Sequence, residues 1–132
     1  MASQPARLLD VGNCDPDHAM IRRMLTENFD VTIDRVMFVD QAMEKLKANR
    51  YDLVLFNRLV FDDGSEGIEL LRRTKADATF AGVPMMMISN FPEAQAASQA
   101  AGGVPGFGKA SVSTPKTIEL LSQYLPKRPN GR

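Results

Sequence analysis

The stretch Tyr51 to Gly67, YDLVLFNRLVFDDGSEG, decides the fold. Its segment Leu53-Val54-Leu55-Phe56 is a short unbroken apolar run, the pattern of a central parallel strand buried on both faces. The run stops at Asn57-Arg58, a loop rich in Asp and Gly follows, and a helical pattern begins at Ile68. In open α/β sheets, ligands and chemistry gather beyond the carboxyl ends of the strands, so Asn57 stands where a functional side chain is expected. An amide at that place donates and accepts hydrogen bonds but supplies neither a nucleophile nor a charge.

Working outward, the same alternation extends along the chain. Leu8 to Gly12 reads as a first strand, interrupted by Asp10, and Asn13-Cys14-Asp15-Pro16-Asp17 as a strand-to-helix turn. Asp15 is expected to cap a helix whose first residue is Pro16, with Asp17 in its first turn and Met20, Ile21, Met24 and Leu25 inward. Val31 to Val36 is a second strand, and Asp40 starts a second helix. The third strand is Asp52 to Phe56, and the third helix runs from Ile68 to about Ala76. Met85 to Ile88 is a fourth, wholly apolar strand ending at Ser89-Asn90. A fourth helix from about Pro92 to Ala101 stops at Gly102-Gly103. Val104 to Gly108 is a poor fifth strand, rich in Gly and Pro, and Lys109 follows it. Thr114 caps a last helix with Pro115 at its first position and Ile118, Leu121 and Leu125 as its stripe.

Strands separated by helices imply βαβ units, right-handed crossovers and a parallel sheet covered on both faces. The expected fold is α/β, a flavodoxin-like doubly wound sheet of five strands in the order 2-1-3-4-5. The strand ends would then gather Asn13, Cys14 and Asp15, with Asn57, Ser89-Asn90 and Lys109. Residues 1–6 are expected to be a disordered lead-in, 7–125 the domain, and 126–132 a flexible tail.

Composition narrows the function. The 132 residues suit one domain, and 44% hydrophobic with 24% charged residues is ordinary globular composition. Sixteen basic and sixteen acidic residues cancel, so no broad attraction to nucleic acid or an anionic membrane is indicated. Cys14 is the single cysteine, which excludes an internal disulfide. No apolar run nears the roughly 20 residues of a membrane span. A cytoplasmic protein is the expectation.

The segments DPDHAMIRRML, YDLVLFN, GIELLRR and VPMMMISN carry a resemblance. From about Arg7 to Leu125 the chain resembles the receiver domain of bacterial response regulators, the CheY-like fold. That family carries an acidic pair after the first strand that holds Mg²⁺ and, after the third, an Asp that accepts a phosphoryl group from a histidine kinase. A Ser or Thr after the fourth strand and a Lys after the fifth grip the phosphate. Ser89 and Lys109 fit. Asn57 stands in place of the phospho-accepting Asp, and Asn13 and Cys14 in place of the acidic pair, with Asp15 the nearest carboxylate. The Pro expected after the Lys is Ala110, and the aromatic switch residue expected three positions before it is Gly106, with Phe107 displaced by one. The loop after Asn57 is about two residues longer than the family's usual one.

The resemblance therefore implies a degenerate, or pseudo-receiver, module. An amide at position 57 cannot form an acyl phosphate, and loss of both acids weakens any Mg²⁺ site. No catalytic role, cofactor or metal is assigned. Lys109 is expected to hydrogen-bond Asn57 or to pair with Asp15. The family's signalling and dimer surface is the face made by the fourth helix, fifth strand and fifth helix. Here Ala94, Ala97, Ala101 and Phe107 are its candidate contacts, toward a second copy or another protein.

Several residues carry two readings. Asn57 is either an unphosphorylatable lock or a relic. Asp10 is either at a strand-edge or neutral position or, by a register slip through Gly12, a replacement acid in the pocket. Asp62, Asp63 and Glu66 are turn residues before they are cation ligands. Cys14 reads as a small filler, with a redox role as the alternative, and His18 as a solvent-facing helix residue. Beside the interaction module stand two other readings: a receiver of altered pocket chemistry, phospho-signalling or sensing a small molecule, and a flavodoxin-like cofactor enzyme. The last lacks a Gly-rich phosphate loop after the first strand.

Overall fold

The apolar run at 53–56 forms the middle strand of a five-stranded parallel sheet, in a computed structural model that describes residues 4–59 and 67–129. The strands are β1 (Ala6–Val11), β2 (Val31–Val36), β3 (Leu53–Asn57), β4 (Met85–Ile88) and β5 (Val104–Phe107). The helices are α1 (Asp15–Asn28), α2 (Val39–Ala48), α3 (Ile68–Lys75), α4 (Pro92–Ala100) and α5 (Pro115–Leu121), with a 3₁₀ turn at Lys109–Ser111. The sheet order is β2-β1-β3-β4-β5, the doubly wound order expected from the alternation. Asp62, Asp63 and Glu66 lie outside the described residues.

Successive strand residues point to opposite faces, and the core divides accordingly. Leu9, Val11, Val54, Phe56, Met85 and Met87 pack with Leu46 of α2 and Leu70 and Leu71 of α3. Leu8, Leu53, Leu55, Met86 and Ile88 pack with Ile21, Met24 and Leu25 of α1 and Leu121 of α5. All four residues of β4 are buried, which is why that strand has no polar alternation.

Local details depart from the expected ones. Cys14, not Asp15, holds the N-cap position of α1 and makes no side-chain cap bond; Asp15 is already helical. Thr114 caps α5 as expected, accepting from the Thr117 amide. Ala6 opens β1, so the strand starts inside the expected lead-in. The stretch after Leu125 is docked in part: Asp30 N–H donates to the Pro126 carbonyl, Arg128 N–H to the Asn28 carbonyl, and Phe29 bridges Lys127. Backbone pairing at the edge of β2, which the basic composition of 127–128 hid, holds it there.

Candidate functional site

The carboxyl ends of β1, β3, β4 and β5 bring Asn13, Cys14, Asn57, Ser89 and Lys109 to one end of the sheet. Gly12, at φ 80°, makes the turn that leaves β1, and its N–H donates to the Val36 carbonyl at 3.0 Å. Only glycine adopts that backbone region freely, so the loop leading to Asn13 depends on it.

Asn57 is half-buried, and its side-chain nitrogen is bonded to the backbone. Nδ2 donates to the Leu59 carbonyl at 2.6 Å and more weakly to the Gly12 carbonyl at 3.4 Å. Both partners are carbonyl oxygens, which fixes the amide's orientation with nitrogen toward them. Asn57 thus ties its own loop to the loop after β1. Close by, a Cβ at Gly67 would lie 2.0 Å from the Asn57 carbonyl oxygen, so the start of α3 can approach β3 only through a glycine.

Lys109 reaches across to α1. Its Nζ lies 2.6 Å from Asp17 Oδ2. This corrects the expected pairing with Asn57 or Asp15, because the first turn of α1 points Asp17 toward the end of β5 while Asp15 turns outward to Arg35 at 2.7 Å. The Lys109 hydrogen bond holds the Asp17 carboxyl below its ordinary value against the opposing effect of burial, with a smaller contribution from the Cys14 thiol. Ser89 is buried, and its Oγ accepts from the Phe91 N–H at 3.1 Å, at the entry to α4.

Asp10 is fully buried, 0% exposed, which corrects its reading as a strand-edge residue. Its Oδ1 accepts from Asn13 Nδ2 at 2.6 Å, and its Oδ2 meets His18 Nδ1 at 2.5 Å. His18 is therefore not solvent-facing; its side chain is 15% exposed and is directed at the carboxylate. A buried carboxylate needs such donors, since leaving one unpaired is strongly unfavourable. Both carboxylate oxygens of Asp10 are occupied inside the protein, so it does not replace an acid in the pocket. Asn13 is also fully buried, and its backbone carbonyl accepts from Arg35.

A divalent cation of the Mg²⁺ kind favours oxygen ligands with one or two carboxylates among them. The pocket offers the amides of Asn13 and Asn57 and the thiol of Cys14, while Asp17 is held by Lys109. Among the described residues no group of three or more His, Cys, Asp or Glu side chains is placed to hold a metal. These donors do not fit a Mg²⁺ site.

The candidate interaction face is built differently from expectation. Of Ala94, Ala97, Ala101 and Phe107, only Ala97 is exposed; Ala94 and Ala101 lean on the core. Phe107 is 5% exposed, because its ring joins the core layer beneath α5, so it contributes only to the floor of the groove beside α4. Between α4 and α5 runs a groove of about 530 Å³ over β5, lined by Phe91, Gln95, Pro105, Gly106, Leu120 and Gln123 among others. Phe91 at its rim is 50% exposed, and the Arg58 guanidinium lies 4.9 Å from its ring centroid. Sequence reasoning missed Asp17, His18, Arg35, Phe91 and Gln95. Only the lone apolar Phe91 in front of Pro92 carried a readable signal, as a large side chain at a helix entry.

No family model and no curated protein matches the chain. Solved structures do. A protein described as a response regulator from Chloroflexus aurantiacus superposes with a TM-score of 0.79 at 20% identity, over 91% of this chain and 96% of that one. NtrX from Brucella abortus gives 0.76 at 20% identity, over 92% of this chain and 27% of that one. The chemotaxis response regulator CheY4 of Vibrio cholerae gives 0.72 at 16% identity, over 92% of this chain and 100% of that one. The chain has the CheY-like receiver fold. No helix of the described residues is long and apolar enough to cross a membrane.

Proposed function

We propose that this chain is a receiver-like signalling module that acts by protein–protein recognition, without taking a phosphoryl group at position 57. The observation that carries this reading is the Asn57 amide donating to the Leu59 and Gly12 carbonyls. A carboxylate poised as a nucleophile presents lone pairs to its donor and metal; Asn57 presents N–H groups to its own backbone. The Lys109–Asp17 pair supports it, since the Lys109 cation is neutralised within the protein.

The working surface is the groove between α4 and α5, with the exposed residues of α4 at its margin, facing another protein or a second copy of the chain. The module is cytoplasmic in this reading, and it signals by its abundance and its binding equilibrium. Nucleic acid and membrane are not its partners, given the balanced charge.

Titration with Mg²⁺ and beryllofluoride, followed by backbone amide NMR, tests this. Beryllofluoride mimics an acyl phosphate only when a carboxylate coordinates it. The expected result is no saturable shift at Asn57, Ser89 or Lys109. Saturable shifts there would mean that a site of altered chemistry exists, and the phosphorylation-independent reading would fall.

A further inference from the structure

A long polar side chain on a surface helix ordinarily points to water, where it keeps its rotamer freedom. Gln95 of α4 does the opposite. Its Nε2 lies 3.0 Å from the Met87 carbonyl and 3.2 Å from the Ser89 carbonyl, with the Phe107 carbonyl at 3.4 Å. Its Oε1 accepts the Gly106 N–H at 3.2 Å. Three carbonyls around the nitrogen and one N–H at the oxygen leave a single orientation for the amide.

The sheet explains why the amide is wanted there. The β4–β5 ladder pairs Met86 with Val104 and Ile88 with Phe107, so two residue steps on β4 are matched by three on β5. Such an irregularity leaves backbone groups without ladder partners. The Gly106 N–H falls inside it; Gln95 Oε1 accepts that donor while Nε2 adds a bond to the Met87 carbonyl. Gly106 completes the fit: a Cβ there would lie 2.0 Å from the Met87 carbonyl oxygen and 2.9 Å from Gln95 Oε1. Pro105, the neighbouring residue, has no N–H to offer.

We infer that Gln95 is a conformational lock, a side-chain amide that takes up the extra N–H of the bulged strand and fixes α4 in one position against β4 and β5. Rotation or sliding of α4 would break bonds to both strands at once and leave the Gly106 N–H unsatisfied in a half-buried seam. The groove beside α5 is then a surface of one shape. This deepens the reading of that face as a recognition surface and rests on it only for the word recognition. The lock itself concerns α4 and the two strands.

Hydrogen exchange on the intact chain tests it, with neither a phosphoryl mimic nor a partner present. In Gln95→Met, which keeps length and removes both amide functions, exchange at Gly106 and across 89–101 is expected to quicken on the order of tenfold to a hundredfold. Amides of Leu53 to Phe56 should keep their wild-type rates. Unchanged exchange at Gly106, or equal acceleration in β3, would overturn the lock. Because the variant could fail to fold, relaxation-dispersion NMR on the wild type is a second arm. A locked helix shows no microsecond-to-millisecond exchange at Gln95 to Ala101 or at Gly106, and dispersion confined to those residues would also overturn the proposal. Beryllofluoride binding at the pocket with exchange as expected would sink the proposed function and leave the lock standing.

Discussion

Lys109 and Asp17 join the loop after β5 to the first turn of α1, with 2.6 Å between Nζ and Oδ2. The contact ties together two elements that approach from opposite ends of the sequence. It also contributes to how the fold responds to acid. The Lys109 hydrogen bond lowers the Asp17 carboxyl despite burial. A depressed carboxylate contributes stability above its unfolded-state value and loses it as pH falls through its folded-state value. Lys109→Met should therefore lower the unfolding free energy by about 0.5–1 kcal/mol near neutral pH. The difference from wild type should close as pH falls below about 4. Urea denaturation across that range measures it, and a gap that stays constant with pH would refute the pairing.

A carboxylate placed at position 57 should not create a phosphoryl-accepting site. Asn57→Asp replaces two donated hydrogen bonds with a carboxylate facing the Leu59 and Gly12 carbonyls. We expect a loss of about 1–3 kcal/mol and no phosphoryl adduct by intact mass after incubation with acetyl phosphate. A variant as stable as wild type that takes up phosphate would show that the amide is a passive substitution.

The buried pair of Asp10 and His18 invites a double-mutant cycle. His18→Ala leaves the carboxylate with Asn13 as its remaining bonded partner and should cost about 2–4 kcal/mol. Asp10→Leu and Asp10→Leu/His18→Ala close the cycle, and the double variant should lose less than the sum of the two single losses, because the carboxylate that needs the imidazole is gone. Additive losses in the cycle would mean that the two side chains do not act as a unit.

At the opposite end of the sheet, Tyr51 donates to Asp34 Oδ2 at 2.6 Å, and Arg7 lies over its ring. Burial, then the Asp34 hydrogen bond and charge, push the Tyr51 phenol up to about 12. The Tyr51 hydrogen bond, opposed by burial and aided by Arg7, holds Asp34 below its ordinary value. For a raised phenol, the linked stability is complete below the ordinary value near 10 and is lost as pH rises through about 12. In a Tyr124→Phe variant, tyrosinate absorbance should stay small near pH 10 and grow toward pH 12, the folded-state value. Half-ionisation near pH 10 would contradict the contact.

The elements and their order were legible because they rest on local pattern. Leu53 to Phe56 and Met85 to Ile88 are apolar on both faces, and only a central strand of a covered sheet needs that. Asn57, Ser89 and Lys109 were legible as a set because they directly follow strands. Their partners were not. Lys109 meets Asp17 and not Asp15 because the two lie two residues apart and so on different faces of the first turn of α1, and no periodicity tells which face meets β5. Asp10 looked like a flaw in β1 because its donors, Asn13 and His18, lie beyond a glycine turn whose path no periodicity gives. Phe107 was misplaced by the bulge opposite Met87, which shifts every later side chain of β5 by one face.

The docking of the last described residues has a topological consequence. Asp30 receives both ends of the domain: its carbonyl accepts the Ala6 N–H at 3.1 Å, and its own N–H donates to the Pro126 carbonyl at 2.9 Å. Ala6 and Pro126 thus sit at the amino ends of the strands, across the sheet from Asn57 and Lys109. Joining them by a short linker and reopening the chain elsewhere should leave the sheet intact, so the domain has the geometry of a closed loop that a circular permutant could enter at another surface turn.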